Sequence, residues 1–188
     1  MINYARLDRS IKFYEQEGFS RIESPWTVTK AVSQITKPPG GKDWEIMGKD
    51  KVLVASGEQS FLYLYLKGFL PKGKYQTVTP CFREEPFDIT HTKYFMKNEL
   101  IITDNVTQES LLKLVNTCKT FFESELYSQV DIITTDQGYD LEVEGIEIGS
   151  YGIRSCDYLD WVYGTGLAEP RLSTIKNMLR NEGKRKKS

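Results

Sequence analysis

The apolar residues Ile11, Phe13 and Tyr14, set among polar neighbours, predict an amphipathic helix over 7–16 that Glu17-Gly18 ends. Alternation over 19–23 predicts a strand stopped by Ser24-Pro25, because proline cannot donate to a ladder. A helical turn or two follows over 28–35, and Pro38-Pro39-Gly40-Gly41 marks a loop. A short strand over 51–55 leads to a Leu- and Tyr-rich helix over 59–66, then a turn at Gly68 and Pro71-Lys72-Gly73. Two long strands are expected over 75–83 and 93–103, joined by a loop at 85–92, with Pro80 marking an edge or a bulge in the first. The strongest helical pattern spans 107–126, with Asn105 or Thr107 as its N-cap and Leu111, Leu112, Leu114, Val115, Phe121 and Phe122 as its apolar residues. Strands over 130–134, 139–143 and 146–148, a Gly-rich turn at 164–168 and a helix over 172–180 complete the chain. Strands that follow strands, with helices gathered between and at the ends, predict an α+β fold with a mainly antiparallel sheet.

Composition narrows the class. With 39% hydrophobic and 27% charged residues the chain reads as a globular domain, and 188 residues suffice for one sizeable core. One domain is expected over 1–181, with a basic tail over 182–188 that contains Lys184-Arg185-Lys186-Lys187. A net charge of −1 argues against a broad basic surface for sequence-independent nucleic-acid binding. Cys81, Cys118 and Cys156 form no C-x-x-C, and a single histidine makes a zinc site a poor fit. Reduced, mostly buried thiols are expected instead. No window approaches the ~18 apolar residues of a membrane span, and no signal-like segment opens the chain, so a cytoplasmic protein is expected.

Candidate chemistry concentrates in 80–100. Arg83 and Glu85 stand two apart on an expected strand and so project from one face. A guanidinium there suits an α-phosphate, and the carboxylate can orient it or read an amine. His91 in the loop can reach a terminal phosphate, and Phe95 on the return strand can lie flat on a purine. The same residues also fit a plain hairpin with one exposed ion pair, and the local pattern does not choose between them.

Three segments in order do choose. Gly18-Phe19-Ser20-Arg21-Ile22-Glu23-Ser24-Pro25 resembles the first signature motif of class II aminoacyl-tRNA synthetases. Phe82-Arg83-Glu84-Glu85 with His91, Phe95 and Glu99 resembles their second, and Gly164-Thr165-Gly166-Leu167-Ala168-Glu169-Pro170-Arg171-Leu172 their third. Ser56-Gly57-Glu58-Gln59 is similar to the loop that holds the substrate's α-amino group. Glu147-Ile148-Gly149-Ser150-Tyr151-Gly152-Ile153-Arg154 resembles a strand of the aspartate and asparagine synthetases, and of the ammonia-dependent asparagine synthetase. Asp88-Ile89-Thr90-His91 instead resembles phenylalanyl synthetases.

The resemblance implies an antiparallel sheet flanked by helices, with ATP bent across it. Arg83 would then neutralise the α-phosphate and Arg171 would face the γ-phosphate. Phe95 would stack on adenine, with Glu85, His91 and Gly166 also at the nucleotide. Glu147, with Glu144 or Glu142, would hold Mg²⁺. Ser56, Glu58 and Gln59 would take the amino acid's ammonium end, and Arg154 would read an aspartate-like side chain. Each residue has a plainer role as well: Arg154 as a salt-bridge partner of Asp157 or Asp160, Phe95 as core, Gly164 and Gly166 as a turn, His91 as a solvated loop residue.

Ala168 replaces a usual glycine of the third motif, and Pro170 replaces the acidic residue before the arginine. The short stretches before residue 7 and after Arg171 predict a bare catalytic core without an anticodon-binding domain. The leading expectation is an ATP-dependent ligase that activates an amino acid, aspartate-like by first choice, as its adenylate. Its acceptor would be ammonia, a carrier or protein side chain, or a modified nucleotide. The alternatives are a non-catalytic paralogue that binds amino acid or nucleotide and regulates a partner, and an acceptor-stem aminoacylator that uses the basic tail on nucleic acid. A homodimer through the region around Pro25 is also implied.

Overall fold

The computed structural model describes residues 1–84 and 92–185, with side chains to residue 181. Glu85 and His91 lie outside the described residues, as does the end of the basic tail. Five helices are described: α1 (Tyr4–Gln16), α2 (Lys30–Thr36), α3 (Gly57–Leu66), α4 (Gln108–Leu126) and α5 (Arg171–Arg185). The strands are β1 (Ser20–Arg21), β2 (Thr27–Val28), β3 (Trp44–Glu45), β4 (Val52–Leu53), β5 (Lys74–Phe82), β6 (Tyr94–Ile102), β7 (Asp131–Thr135), β8 (Gly138–Val143), β9 (Ile146–Cys156) and β10 (Leu159–Glu169).

Seven strands form the main sheet in the order β1-β5-β6-β10-β9-β8-β7, antiparallel throughout except where β1 runs parallel to β5. A second, three-stranded sheet has the order β2-β4-β3. Helices α1, α4 and α5 cover one face of the main sheet, and their apolar stripes meet it in a core that includes Leu7, Tyr14, Leu100, Leu114, Phe122, Leu167 and Ile175. A separate cluster on the other side joins α3 to Val28, Val52, Ile101 and Trp161. Helix α4 starts where a threonine can cap it: Thr107 Oγ1 accepts from the Ser110 N–H at 3.1 Å. Asn3 caps α1 in the same way, accepting from the Arg6 N–H at 3.0 Å.

Two expectations need correction. The glycines at 164–168 are not in a turn but in the interior of β10, which pairs with β6 and β9. Their role there is to make room. A Cβ on Gly164 would lie 2.6 Å from the Tyr151 ring, and one on Gly166 would lie 2.8 Å from the Tyr14 ring. Tyr14 also donates to the Gly166 carbonyl at 2.9 Å, and the register shifts at this point. The strand expected over 146–148 runs on to Cys156, because Gly149 and Gly152 interrupt the apolar pattern without interrupting the ladder.

Pro80 stands as expected on a locally free edge. Its β6 side pairs with Met96, while β1 reaches only Tyr75 and Gln76 on the other side. All three cysteines are free thiols, and Cys81 and Cys118 are buried. Burial pushes these two up to about 11 and about 12. No helix among the described residues is long and apolar enough to cross a membrane.

Candidate active site

The sheet face opposite α1, α4 and α5 carries a cavity of about 720 Å³, within the ~300–1,000 Å³ range of small-molecule sites. Its walls come from four places. The loop before α3 gives Ala55 and Ser56, and α3 itself gives Glu58 and Gln59. Arg83 just past β5 and the sheet side chains Lys97, Ser150, Arg154 and Tyr163 form the floor, and the segments around Pro38-Pro39 and Asp136-Gln137 form the rim. Gly57 lets α3 approach this closely, since a Cβ there would meet the Glu99 side chain at 2.8 Å and Thr77 at 3.0 Å.

Arg83 sits just past the end of β5. Its Nε donates to the Ala55 carbonyl at 3.0 Å, and its guanidinium carbon lies 5.2 Å from the Phe95 ring centre. The hairpin register places Phe95 opposite Cys81, two residues before Arg83, so cation and ring stand side by side on one face. The hairpin pattern suggested that these two side chains would share a face, although Phe95 itself does not line the cavity.

Glu58 is 4% exposed and both of its oxygens are occupied. Arg154 donates to Oε2 at 2.5 Å and the Trp161 indole N–H to Oε1 at 2.6 Å. Burial pushes the Glu58 carboxyl above its ordinary range, and Arg154 pulls it back without cancelling that push. Arg154 also lies over the Tyr163 ring at 4.1 Å. Its carboxylate partner is thus Glu58, 96 positions away in sequence, rather than Asp157 or Asp160. A second pair sits beside the first: Lys97 Nζ donates to Glu99 Oε1 at 2.8 Å, with Glu99 buried and its Oε2 lacking a hydrogen-bond partner among the described residues.

Gln59 is held by the protein itself. Its Oε1 accepts from the Ala55 N–H at 2.8 Å and its Nε2 donates to Ser33 Oγ at 3.1 Å. Ser33 donates in turn to Asp43 Oδ1 at 2.7 Å, and Lys37 donates to Asp43 Oδ2 at 2.8 Å. This chain of bonds ties the rim at 37–43 to the start of α3.

Of the remaining expected site residues that are described, Arg171, Glu147, Glu144 and Gly166 do not line the cavity. Arg171 opens α5 and donates to Glu147 Oε1 at 3.1 Å. Glu147 precedes the cavity residue Ser150 on β9 and stands opposite Glu142 on β8. Glu144 occupies the turn beyond, exposed and with a φ of 49°. Among the described residues no three His, Cys, Asp or Glu side chains group around a common metal position. Glu147 and Glu142 therefore fit Mg²⁺ only as one or two carboxylates completed by phosphate oxygens, the usual arrangement for that ion.

Lys97 and Tyr163 were not anticipated. Lys97 is two residues from Phe95 on one strand, so the period of the strand could have found it. Asp136 and Gln137 reach the cavity from a hairpin tip, for which the sequence holds no signal.

A mainly antiparallel seven-stranded sheet, with helices on one face and a polar cavity on the other, is the catalytic fold of class II aminoacyl-tRNA synthetases. No protein-family model and no curated protein matches the sequence. Solved structures do match. Pyrrolysyl-tRNA synthetase from Desulfitobacterium hafniense aligns with 93% of this chain and 69% of its own, at a TM-score of 0.73 and 17% identity. Seryl-tRNA synthetase from Pyrococcus horikoshii complexed with ATP aligns over 92% of this chain and 49% of its own, at 0.69 and 18%. The cytoplasmic serine-tRNA ligase from Naegleria fowleri in complex with AMP gives 91% and 52%, at 0.69 and 16%. The chain thus spans about half the length of the two seryl enzymes. At these identities the likeness concerns the fold.

Proposed function

We propose that the cavity binds ATP and an amino acid together and that the protein forms an aminoacyl-adenylate. The observation that carries this reading is a cavity lined both by Arg83, which stands against the Phe95 ring, and by the Glu58–Arg154 pair. A cation at the α-phosphate and a ring for adenine suit a nucleotide, and a buried carboxylate–guanidinium pair suits a zwitterion. Structural likeness to enzymes solved with ATP and with AMP supports the nucleotide half. The attacking amino-acid carboxylate is already ionised, so no general base is needed. Positioning and charge neutralisation by Arg83, with Arg171 toward the terminal phosphate, supply the catalysis. Mg²⁺ would rest on Glu147 and Glu142 and shield the phosphate charge.

An aspartate-like substrate is supported by the 147–154 segment, whose Arg154 stands in the cavity with further donors beyond the one given to Glu58. A substrate with both an ammonium and a side-chain carboxylate matches the two members of that pair. The acceptor is proposed to be ammonia, a carrier or protein side chain, or a nucleotide, the last approached through the basic tail. A homodimer through the segment around Pro25 belongs to the same reading, and light scattering at twice 21.7 kDa would support it. The second reading, a non-catalytic paralogue that binds ligand and regulates a partner, is favoured by one observation: Glu58 already has both oxygens engaged.

Calorimetric titration with ATP tests the nucleotide half. Wild type is expected to bind, and Arg83→Ala to lose at least ~10-fold in affinity through the lost charge-assisted contact. Equal affinities in the two proteins would refute the placement of ATP.

A further inference from the structure

A second group of buried charges lies outside the cavity, at the foot of the third motif. Arg6 of α1 is 5% exposed and Glu169, the last residue of β10, is 0% exposed. Arg6 Nη1 donates to Glu169 Oε1 at 2.5 Å and to Ser173 Oγ at 3.0 Å. Its Nε donates to Glu125 Oε2 of α4 at 3.0 Å. Glu125 also takes both ends of Arg9, at 2.6 and 2.7 Å, and its backbone carbonyl accepts from Lys176.

Such a cluster is a poor device for stability alone. Removing ions from water costs more than a pair returns unless every lone pair finds a donor, and Glu169 Oε2 finds none among the described residues. Apolar side chains would pack this corner at lower cost, so the arrangement is better explained by the geometry it fixes. The two acceptors of Arg6 Nη1 are residues 169 and 173, and they flank Arg171. One guanidinium nitrogen therefore pins the end of β10 and the first turn of α5 on either side of that arginine. Pro170 provides no side-chain carboxylate of its own, while the carboxylate one residue earlier points into the fold instead of the site.

We propose that Arg6 and Glu169 form a buried clamp that positions Arg171, and through it the terminal phosphates of a bound nucleoside triphosphate. Glu169 is a positioning residue, because it is fully buried and acts through its bond to Arg6. This role rests on the nucleotide reading of the cavity. Ser173 is its accessory, and Glu125 holds the far side of the same guanidinium.

The test compares ATP and AMP affinity in wild type, Arg171→Ala, Glu169→Gln and Ser173→Ala, with unfolding monitored in parallel. Only the terminal phosphates should feel the clamp. Wild type is expected to prefer ATP, and Arg171→Ala to erase that preference. Glu169→Gln is expected to reduce it by about tenfold, and Ser173→Ala by roughly threefold, with AMP affinity within about twofold of wild type in each. An unchanged ATP-to-AMP ratio in folded Glu169→Gln would overturn the clamp and leave the nucleotide reading intact. Equal loss of both nucleotides would also overturn it, because that is the signature of general damage. If Glu169→Gln does not fold, the ratio in Ser173→Ala decides by the same criterion. A wild type that binds neither nucleotide overturns the nucleotide reading itself, and the clamp's role with it.

Discussion

The two faces of the seven-stranded sheet manage charge in opposite ways. Toward α1, α4 and α5 the contacts are mainly apolar, and a cluster of ions gathers around Arg6 and Glu125. Toward the cavity, cations and carboxylates alternate, as in Arg154 with Glu58, Lys97 with Glu99 and Lys37 with Asp43. The first arrangement holds backbone elements at fixed angles. The second keeps opposite charges close together beside a space that a ligand can enter. Apolar packing thus dominates one face and paired charges beside a cavity the other, and the strands β9 and β10 carry both.

If that division is real, substitutions on the two faces should move different observables. The largest effect is expected at Arg83. Arg83→Ala should lower amino-acid-dependent pyrophosphate exchange by at least ~100-fold, with an unchanged circular dichroism spectrum. Retained exchange would remove Arg83 from the site. On the helix face, Gly164→Ala should cost roughly 1–3 kcal/mol in urea unfolding, since the new methyl meets Tyr151 and Leu114. A neutral result would mean that the rings move aside.

Glu125 gives a pH-dependent contrast. Burial pushes its carboxyl up, but the hydrogen bonds from Arg9 and Arg6 outweigh that and hold it below its ordinary 4.5. Its ionised form therefore favours the folded state. That contribution is present above 4.5 and is lost as pH falls through the lowered folded value. Glu125→Gln should accordingly show a shallower loss of stability below pH 4.5 than wild type. Parallel profiles would show that the carboxylate has no such linkage. The smallest change is expected at the rim. Asp43→Ala removes acceptors for Ser33 and Lys37, and should cost only about 1 kcal/mol of stability while weakening ligand affinity more visibly.

Local pattern carried much of the fold. The apolar residues of α4 with Thr107 before them, and the two long strands around 85–92, are legible because neighbours in sequence create them. β10 was not, because its glycines answer to Tyr151 and Tyr14, which arrive from β9 and α1. The site divides in the same manner. Arg83 and Phe95 share a hairpin, and alternation alone aligns them. The pairing of Glu58 with Arg154 joins residues 96 positions apart, and Trp161 completes it from the neighbouring strand. No local rule predicts such a meeting. Resemblance to a family pattern brought these residues into view, but it assigned them to a ligand rather than to each other.

Amino-acid-dependent ATP–pyrophosphate exchange, run with Mg²⁺ against each standard amino acid, tests the central claim most directly. Exchange stimulated by one amino acid, aspartate or a close relative first, is the predicted result, and it would name the substrate of the cavity. Silence with every amino acid, from protein that is folded and binds ATP, would contradict adenylate formation and leave ligand-dependent regulation as the function of this fold.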